Sequence, residues 1–201
     1  VAPVLSASPG LAVGSVAAIC RPSGWSASMS APTSMAPRFA LVLGSGGVKS
    51  VAALGVAEVL QKEGLLPDLV VGCSAGAIFG ALLAMELKAV DAMALAKHLW
   101  SREVTSCKRR GAWAELALSP WRRGDPQAFG ERFALRDDAL ILTRLRAAFG
   151  ASRLEDLPVP MWVNATDAQT GHSVLLQQGG VVEALRASIA LPFLFAPHCV
   201  N

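Results

Sequence analysis

Residues 67–87, PDLVVGCSAGAIFGALLAMEL, place a strand pattern directly before a helix pattern and decide the fold of this chain. In the run PDLVVGC, the residues after Asp68 are continuously apolar, which is typical of a strand buried on both faces of a parallel sheet. The run AGAIFGALLAMEL is apolar all round, so the sequence predicts a helix packed on most of its sides. Leu69 to Met85 carry no charge, but a glycine turn interrupts them, which favours a strand and a helix over a membrane span.

The segments around this stretch repeat the alternation. RFALVLG, residues 38–44, predicts another buried strand, and VKSVAALGVAEVLQKEG, residues 48–64, has apolar residues at helical spacing. Strand, helix, strand, helix predicts an α/β domain in which a mostly parallel sheet carries helices on its faces. Further on, VPMWVNATDAQTG and HSVLLQQG predict two strands joined by a turn, and VVEALRASIALP predicts a helix that stops before Pro192.

Two regions depart from this pattern. Residues 1–37 are rich in Ala, Ser, Pro and Gly without a sustained period, so we predict a flexible, disordered leader and a domain over residues 38–201. The alternative is that the gene start is placed too far upstream, because the stretch MAPRFALVLG would let the domain begin at Met35. Residues 89–150 hold an amphipathic helix, tryptophan-containing loops and a charged helix, DDALILTRLRAAFG. We interpret them as an insertion or cap over one edge of the sheet.

Composition narrows the class of protein. The chain has 201 residues, of which 53% are hydrophobic and 16% charged, and this is enough for one domain with a sizeable core. The net charge of +3 is mild, and no basic run is interleaved with aromatic residues. We therefore expect no nucleic-acid partner.

The cysteines are scattered and form no CxxC pair, so we predict no zinc site, and we expect no other metal or cofactor. They are Cys20, Cys73, Cys107 and Cys199. Free or buried thiols are typical of a reducing compartment, and residues 1–20 lack the basic start of a signal peptide. We expect a cytoplasmic protein with peripheral, transient contact to a membrane. The sequence does not indicate an oligomeric state.

The strongest chemical motif is GCSAG, Gly72 to Gly76, which matches G-x-S-x-G between the predicted strand and helix. In that context the motif predicts a nucleophile elbow, a tight strained turn that points the Ser74 hydroxyl out of the sheet. Gly72 and Gly76 remove side chains that would collide across the turn. Cys73 and Ala75 flank the serine, and the helix that starts at Ala75 directs its positive dipole end toward developing negative charge.

A second glycine motif, GSGGVKS at Gly44 to Ser50, follows the first predicted strand. It does not fit a P-loop, because Val48 precedes Lys49 and Leu43 stands where the first glycine belongs. It does not fit a dinucleotide fingerprint either, because Lys49 takes the place of the third glycine. Nucleotide binding is therefore not expected.

The geometry of a parallel sheet suggests another role for this loop. Parallel neighbouring strands bring the glycine loop and the elbow to the same, carboxyl, edge of the sheet. The backbone N–H groups of Gly46, Gly47 and Val48 are then expected to face the carbonyl that Ser74 attacks. The sequence thus predicts an oxyanion hole.

Two further residues of the loop are assigned supporting roles. Gly44 ends the strand and begins the loop. Lys49 is interpreted as a cation that pins the loop, and the alternative is that it neutralises a phospholipid headgroup.

The set of motifs resembles the patatin-like phospholipase family. GSGGVK and GCSAG match that family's glycine loop and elbow, NATDAQTG its T-D-x-x-T-G turn, and ALRASIALPFLFAP its A-x-x-A-S-x-A-x-P-x-x-F-x-P segment. The resemblance covers residues 38–198 and implies a three-layer αβα fold, no cofactor, and cleavage of lipid or phospholipid carboxyl esters through an acyl-Ser74 intermediate. Ser50 departs from the family pattern, which usually has glycine at that position.

The resemblance also implies a general base that these residues do not contain. Family members activate the serine with an aspartate in a D-G-[GA] motif that follows the A-S-x-A-x-P segment, without a histidine. Asp167 matches the T-D turn instead, and Asn201 is reached before a D-G-[GA] motif occurs. We therefore expect a domain that is C-terminally incomplete and lacks the aspartate of the dyad.

Two alternatives remain open from the sequence. The order Ser74, Asp167, His198 fits an esterase with a Ser-Asp-His triad of the α/β-hydrolase class. The absent dyad aspartate also permits a non-catalytic protein that binds lipid without turnover.

Overall fold

The computed structural model describes residues 18–20, 39–101, 103–104, 111, 134–192 and 194–200. The strands are β1 (Ala18–Cys20), β2 (Ala40–Leu43), β3 (Leu69–Cys73), β4 (Met161–Asp167), β5 (Ser173–Leu176) and β6 (His198–Cys199). The α-helices are α1 (Ala52–Lys62), α2 (Ala75–Ala84), α3 (Ala89–Leu99), α4 (Ala139–Phe149) and α5 (Val181–Ser188). Short 3₁₀ helices lie at Gly47–Val51 and Leu154–Asp156.

The strands form one mixed sheet whose hydrogen-bonded path runs β2-β3-β4-β1-β6, with β5 also paired to β4. All pairs are parallel except β4 with β5, which form the predicted pair of strands joined by a turn. β2 and β3 are in register from Ala40 with Leu69 to Leu43 with Gly72. The predicted α/β class, with a mostly parallel sheet and flanking helices, is confirmed.

The strand β1 has an unexpected position in this sheet. Thr166 of β4 is in register both with Ser173 of β5 and with Ala18 of β1. β3 and β5 both pair with residues 163–164, so they lie on opposite edges of β4. β1 must therefore lie on the edge of β4 that β3 also uses, because β5 occupies the other edge at Thr166. Thus β1 lies beyond the carboxyl end of β3. The remaining residues of the predicted leader lie outside the described part, so the leader stays a prediction.

The core is centred on α2. Every residue of this helix is buried, as expected for a helix that is apolar on all sides. α2 packs against β3, and Gly80 allows this close approach because a Cβ there would lie 2.9 Å from Cγ1 of Val70. The elbow is therefore attached to the most deeply buried helix of the described structure.

The helices α3 and α4 occupy the region that we interpreted as a cap. Both present buried apolar residues to the core, including Leu99 of α3 and Ile141 and Leu145 of α4. Arg144 of α4 donates hydrogen bonds to the carbonyl of His98 and to the Ser101 hydroxyl. The tryptophan-containing loops between these helices lie outside the described residues, so the interpretation as a cap stays a prediction.

Candidate active site

Ser74 occupies the turn between β3 and α2 in a strained conformation. Its backbone has φ 54° and ψ −126°, a region that non-glycine residues enter only when the surrounding structure holds them there. The residue is only 4% exposed. The carbonyl of Ser74 accepts the N–H of Ala77 at 2.9 Å, so the first turn of α2 begins at this residue. The strained turn has the geometry expected of an elbow.

The two motif glycines are required by close approaches of the backbone. A Cβ at Gly72 would lie 2.4 Å from Cα of Ala77, inside the first turn of α2. A Cβ at Gly76 would lie 2.4 Å from the carbonyl oxygen of Leu43 and 2.5 Å from that of Gly44. Gly72 thus lets the chain fold back onto the helix, and Gly76 lets the helix contact the start of the glycine loop.

The other two residues of the motif have different surroundings. Ala75 is fully buried at the start of α2. Cys73 is a free, half-buried thiol whose Sγ lies 3.9 Å from Nδ2 of Asn164. The positive end of the α2 dipole lies next to Ser74, where it favours negative charge.

The glycine loop begins at Gly44, in contact with the elbow as just described. Gly47 has φ +56° and starts the 3₁₀ helix, while Gly46 and Val48 are exposed. Their position at the elbow edge is the one that the sequence predicts, and their role as an oxyanion hole stays a prediction. The Lys49 N–H donates to the carbonyl of Gly46 at 3.2 Å and so closes the 3₁₀ turn.

Ser50 stands where the family pattern usually has glycine, and its side chain makes a hydrogen bond within this loop. Its hydroxyl donates to the carbonyl of Gly44 at 3.2 Å. A Cβ at Gly46 would lie 2.8 Å from that hydroxyl oxygen, a contact that rotation of the Ser50 side chain would relieve. The side chain of Lys49 is exposed, and no ion pair joins it to another described residue. Its assignment as a support of the loop is untested.

Ser188, to which the sequence analysis gave no role, lies directly behind the elbow. Its hydroxyl oxygen accepts the N–H of Ser74 at 2.7 Å and donates to the carbonyl of Asn164 at 2.6 Å. Ser188 is completely buried at the end of α5. The only signal in the sequence was its place in the segment ALRASIALP.

Asp167 and His198, the other members of the alternative triad, have partners of their own. The carboxylate of Asp167 accepts the N–H groups of Gln169 at 2.9 Å and Thr170 at 3.3 Å, which builds the turn after β4. Nε2 of His198 is paired with the carboxylate of Glu183 in α5. Among the described residues, no side chain makes a hydrogen bond to the Ser74 hydroxyl.

Two other features are absent from the described part of the chain. No group of three or more His, Cys, Asp or Glu side chains there is placed to hold a metal ion. No helix in that part combines the length and the apolar character that crossing a membrane requires.

Comparison with known proteins finds similarity to part of several longer NTE family proteins. It is 34% identical over 168 residues to an uncharacterized NTE family protein of Mycobacterium bovis, covering 84% of this chain and 41% of that protein. It is 29% identical over 161 residues to the lysophospholipase NTE1 of Phaeosphaeria nodorum, covering 80% of this chain and 10% of that protein. The chain thus spans less than half the length of these relatives.

Among solved structures, the chain is similar to ExoU of Pseudomonas aeruginosa in its complex with SpcU. The TM-score is 0.47 at 18% identity, over 77% of this chain and 38% of that one. A family model described as patatin-like phospholipase matches residues 41–201, a range that includes the elbow, the glycine loop and Ser188. The chain belongs to the patatin-like phospholipase family.

Proposed function

We propose that this chain carries the nucleophile of a serine acyl hydrolase that cleaves lipid carboxyl esters. The observation that carries the proposal is Ser74, held at φ 54° at the start of a fully buried helix. Strain of this kind persists where the surrounding structure imposes it, and it is frequent at active sites. Membership of the patatin-like phospholipase family supports the same chemistry.

The proposed reaction passes through an ester of Ser74. The Ser74 oxygen loses its proton and bonds to the carbonyl carbon of the substrate, the bond from that carbon to the alcohol oxygen breaks, and the alcohol leaves after its oxygen has taken up a proton. Water then attacks the acyl-enzyme, which releases the fatty acid and regenerates the hydroxyl. The N–H groups of Gly46, Gly47 and Val48 would stabilise the oxyanion in both steps, with help from the α2 dipole.

The substrate class is proposed from the relatives. The fungal relatives of this chain are named lysophospholipases, so we propose phospholipids and lysophospholipids as substrates. Such substrates lie in or on membranes, and peripheral contact of the protein with a membrane surface is part of the proposal.

The structure gives less support to the Ser-Asp-His alternative. In a triad, the histidine would bond to the serine through one ring nitrogen and to the aspartate through the other. Here Nε2 of His198 faces Glu183, and the Asp167 carboxylate accepts bonds from its own turn. We therefore favour a mechanism in which neither residue transfers the proton of Ser74.

Labelling with a fluorophosphonate probe tests the proposal, because such a probe forms a stable bond to an activated serine. We expect the probe on the Ser74 peptide, no labelling of Ser74→Ala, and release of fatty acid from lysophospholipid only by protein with Ser74. Binding of lysophospholipid without labelling or turnover would instead support a non-catalytic lipid-binding protein.

A pair of histidine variants separates the two catalytic alternatives. His198→Ala should retain labelling and hydrolysis within about twofold, as should His172→Ala, an exposed histidine of the β4–β5 turn that serves as control. Loss of labelling in His198→Ala alone would favour the triad.

A further inference from the structure

We propose that Ser188 is a positioning residue for the nucleophile, and that it acts by inserting its hydroxyl into the last rung of the β3–β4 ladder. The proposal rests on the proposed function, in that Ser74 is the residue being positioned. The insertion itself is a backbone feature that can be tested without activity.

The alternation of hydrogen bonds between β3 and β4 shows which rung of their ladder is involved. The N–H of Val70 donates to the carbonyl of Pro160 at 2.9 Å. In a parallel pair, one strand bonds to its neighbour through alternate residues. After Val70, the N–H groups of β3 that face β4 are therefore those of Gly72 and then Ser74.

The register identifies the acceptor that a regular ladder would use. Cys73 is in register with Asn164, so the next rung would join the N–H of Ser74 directly to the carbonyl of Asn164. These two groups are instead joined through the Ser188 hydroxyl, at 2.7 Å and 2.6 Å. One oxygen atom thus stands between the strands where the ladder would otherwise close.

Only a hydroxyl fits this place. The group must accept from the N–H of Ser74 and donate to the carbonyl of Asn164, and a hydroxyl has one donor and two acceptor lone pairs. Ser188 is completely buried, so water does not replace it without a rearrangement of the end of α5. An alanine would leave both backbone groups unsatisfied or let them bond directly.

The inserted hydroxyl has two consequences for Ser74. It ends strand pairing at Ser74, whose backbone leaves the strand conformation and adopts φ 54°. The hydroxyl thus holds the strained turn away from the sheet. It also occupies the N–H of Ser74, which leaves the stabilisation of the oxyanion to other N–H groups, such as those of the glycine loop. Direct closure of the rung in Ser188→Ala would draw Ser74 toward β4 by an ångström or more.

The test compares Ser188→Ala with Ser188→Thr and Ser173→Ala. Ser173→Ala is the matched control, because its hydroxyl donates to the side-chain oxygen of the same Asn164 at 2.6 Å but does not touch the elbow. The measurements are the rate of fluorophosphonate labelling at Ser74, the kcat and KM for an ester substrate, and the amide resonance of Ser74 in ¹H–¹⁵N spectra.

We expect Ser188→Ala to lower the labelling rate and kcat about a hundredfold, as a displacement near 1 Å does, with little change in KM. Ser173→Ala should stay within about twofold of the wild type, and Ser188→Thr, which keeps the hydroxyl, should recover most of the rate. The Ser74 amide resonance should move in Ser188→Ala far more than in Ser173→Ala.

The outcomes separate this inference from the proposed function. If the folded wild type is not labelled at Ser74, these residues on their own do not carry out the proposed function, and the amide resonance still decides whether Ser188 holds the elbow. If Ser188→Ala is folded and labels like the wild type, or if its Ser74 amide resonance moves no more than in Ser173→Ala, the positioning role is wrong.

Discussion

Replacing Gly76 by alanine should force the elbow away from the glycine loop. The new Cβ would lie 2.4 Å and 2.5 Å from the carbonyl oxygens of Leu43 and Gly44, so about 1 Å of movement is needed to restore van der Waals separation. Both opposing atoms belong to the backbone and cannot rotate away. We therefore expect a cost near the upper end of the range for overpacking, about 3 kcal/mol.

This cost converts into measurable changes. For a chain of this size, about 3 kcal/mol corresponds to a fall in Tm of roughly 6–12 °C. The same displacement separates Ser74 from the loop, and labelling by a fluorophosphonate should slow by about a hundredfold. Thermal unfolding followed by circular dichroism, together with labelling kinetics below the transition, measures both effects.

Gly55→Ala is the matched control for this substitution. Gly55 lies inside α1, and a Cβ there would meet nothing within 4 Å. In a helix interior, alanine is more stable than glycine by about 0.5–1 kcal/mol, so Gly55→Ala should raise Tm and leave labelling unchanged. A Gly76→Ala protein whose Tm and labelling rate both match the wild type would refute the reasoning from backbone contacts.

The remaining predictions concern the strained turn, a buried ion pair and the glycine loop. Ser74→Gly should be more stable toward urea than Ser74→Ala by about 1 kcal/mol, because glycine adopts φ 54° without strain; equal midpoints would mean that the turn stores no strain. Asp138→Ala should lower the free energy of unfolding by about 2 kcal/mol, since it leaves the buried Arg186 guanidinium without its carboxylate at 2.5 Å, while solvent at the one-third exposed Asp138 reduces the loss. Adding Arg186→Met should recover part of that loss in the same urea titration, and a further loss would contradict this account. Ser50→Ala removes an exposed bond to Gly44, so labelling of Ser74 should slow only about threefold; a loss as large as that of Gly76→Ala would show that the loop depends on Ser50.

Much of the architecture could be predicted because it depends on local patterns. The run LVVGC is continuously apolar, and the structure makes it a strand buried in the sheet. The helix α2 is apolar on every side and is buried on every side. The glycines at 72 and 76 could be assigned because a tight strand-to-helix turn has room for few side chains.

Contacts between distant segments could not be predicted in the same way. No local pattern places the hydroxyl of Ser188 between Ser74 and Asn164, which are separated from it by 114 and 24 positions. A serine at the end of an apolar helix has many possible partners, and the partner is decided when the helix packs on the sheet. The pairing of His198 with Glu183 is of the same kind.

The sequence by itself determined the order of strands β2 to β5 and of the helices among them, the turn at Ser74 and the family, because periodicity and short-range sterics are properties of neighbouring residues. The tertiary structure decided which groups surround the turn: that Gly76 faces the carbonyls of Leu43 and Gly44, and that Ser188 takes the last rung between β3 and β4. The physical reason is that a hydrogen bond or a close contact depends on positions to within an ångström. Those positions are set by the packing of the whole core rather than by any one segment.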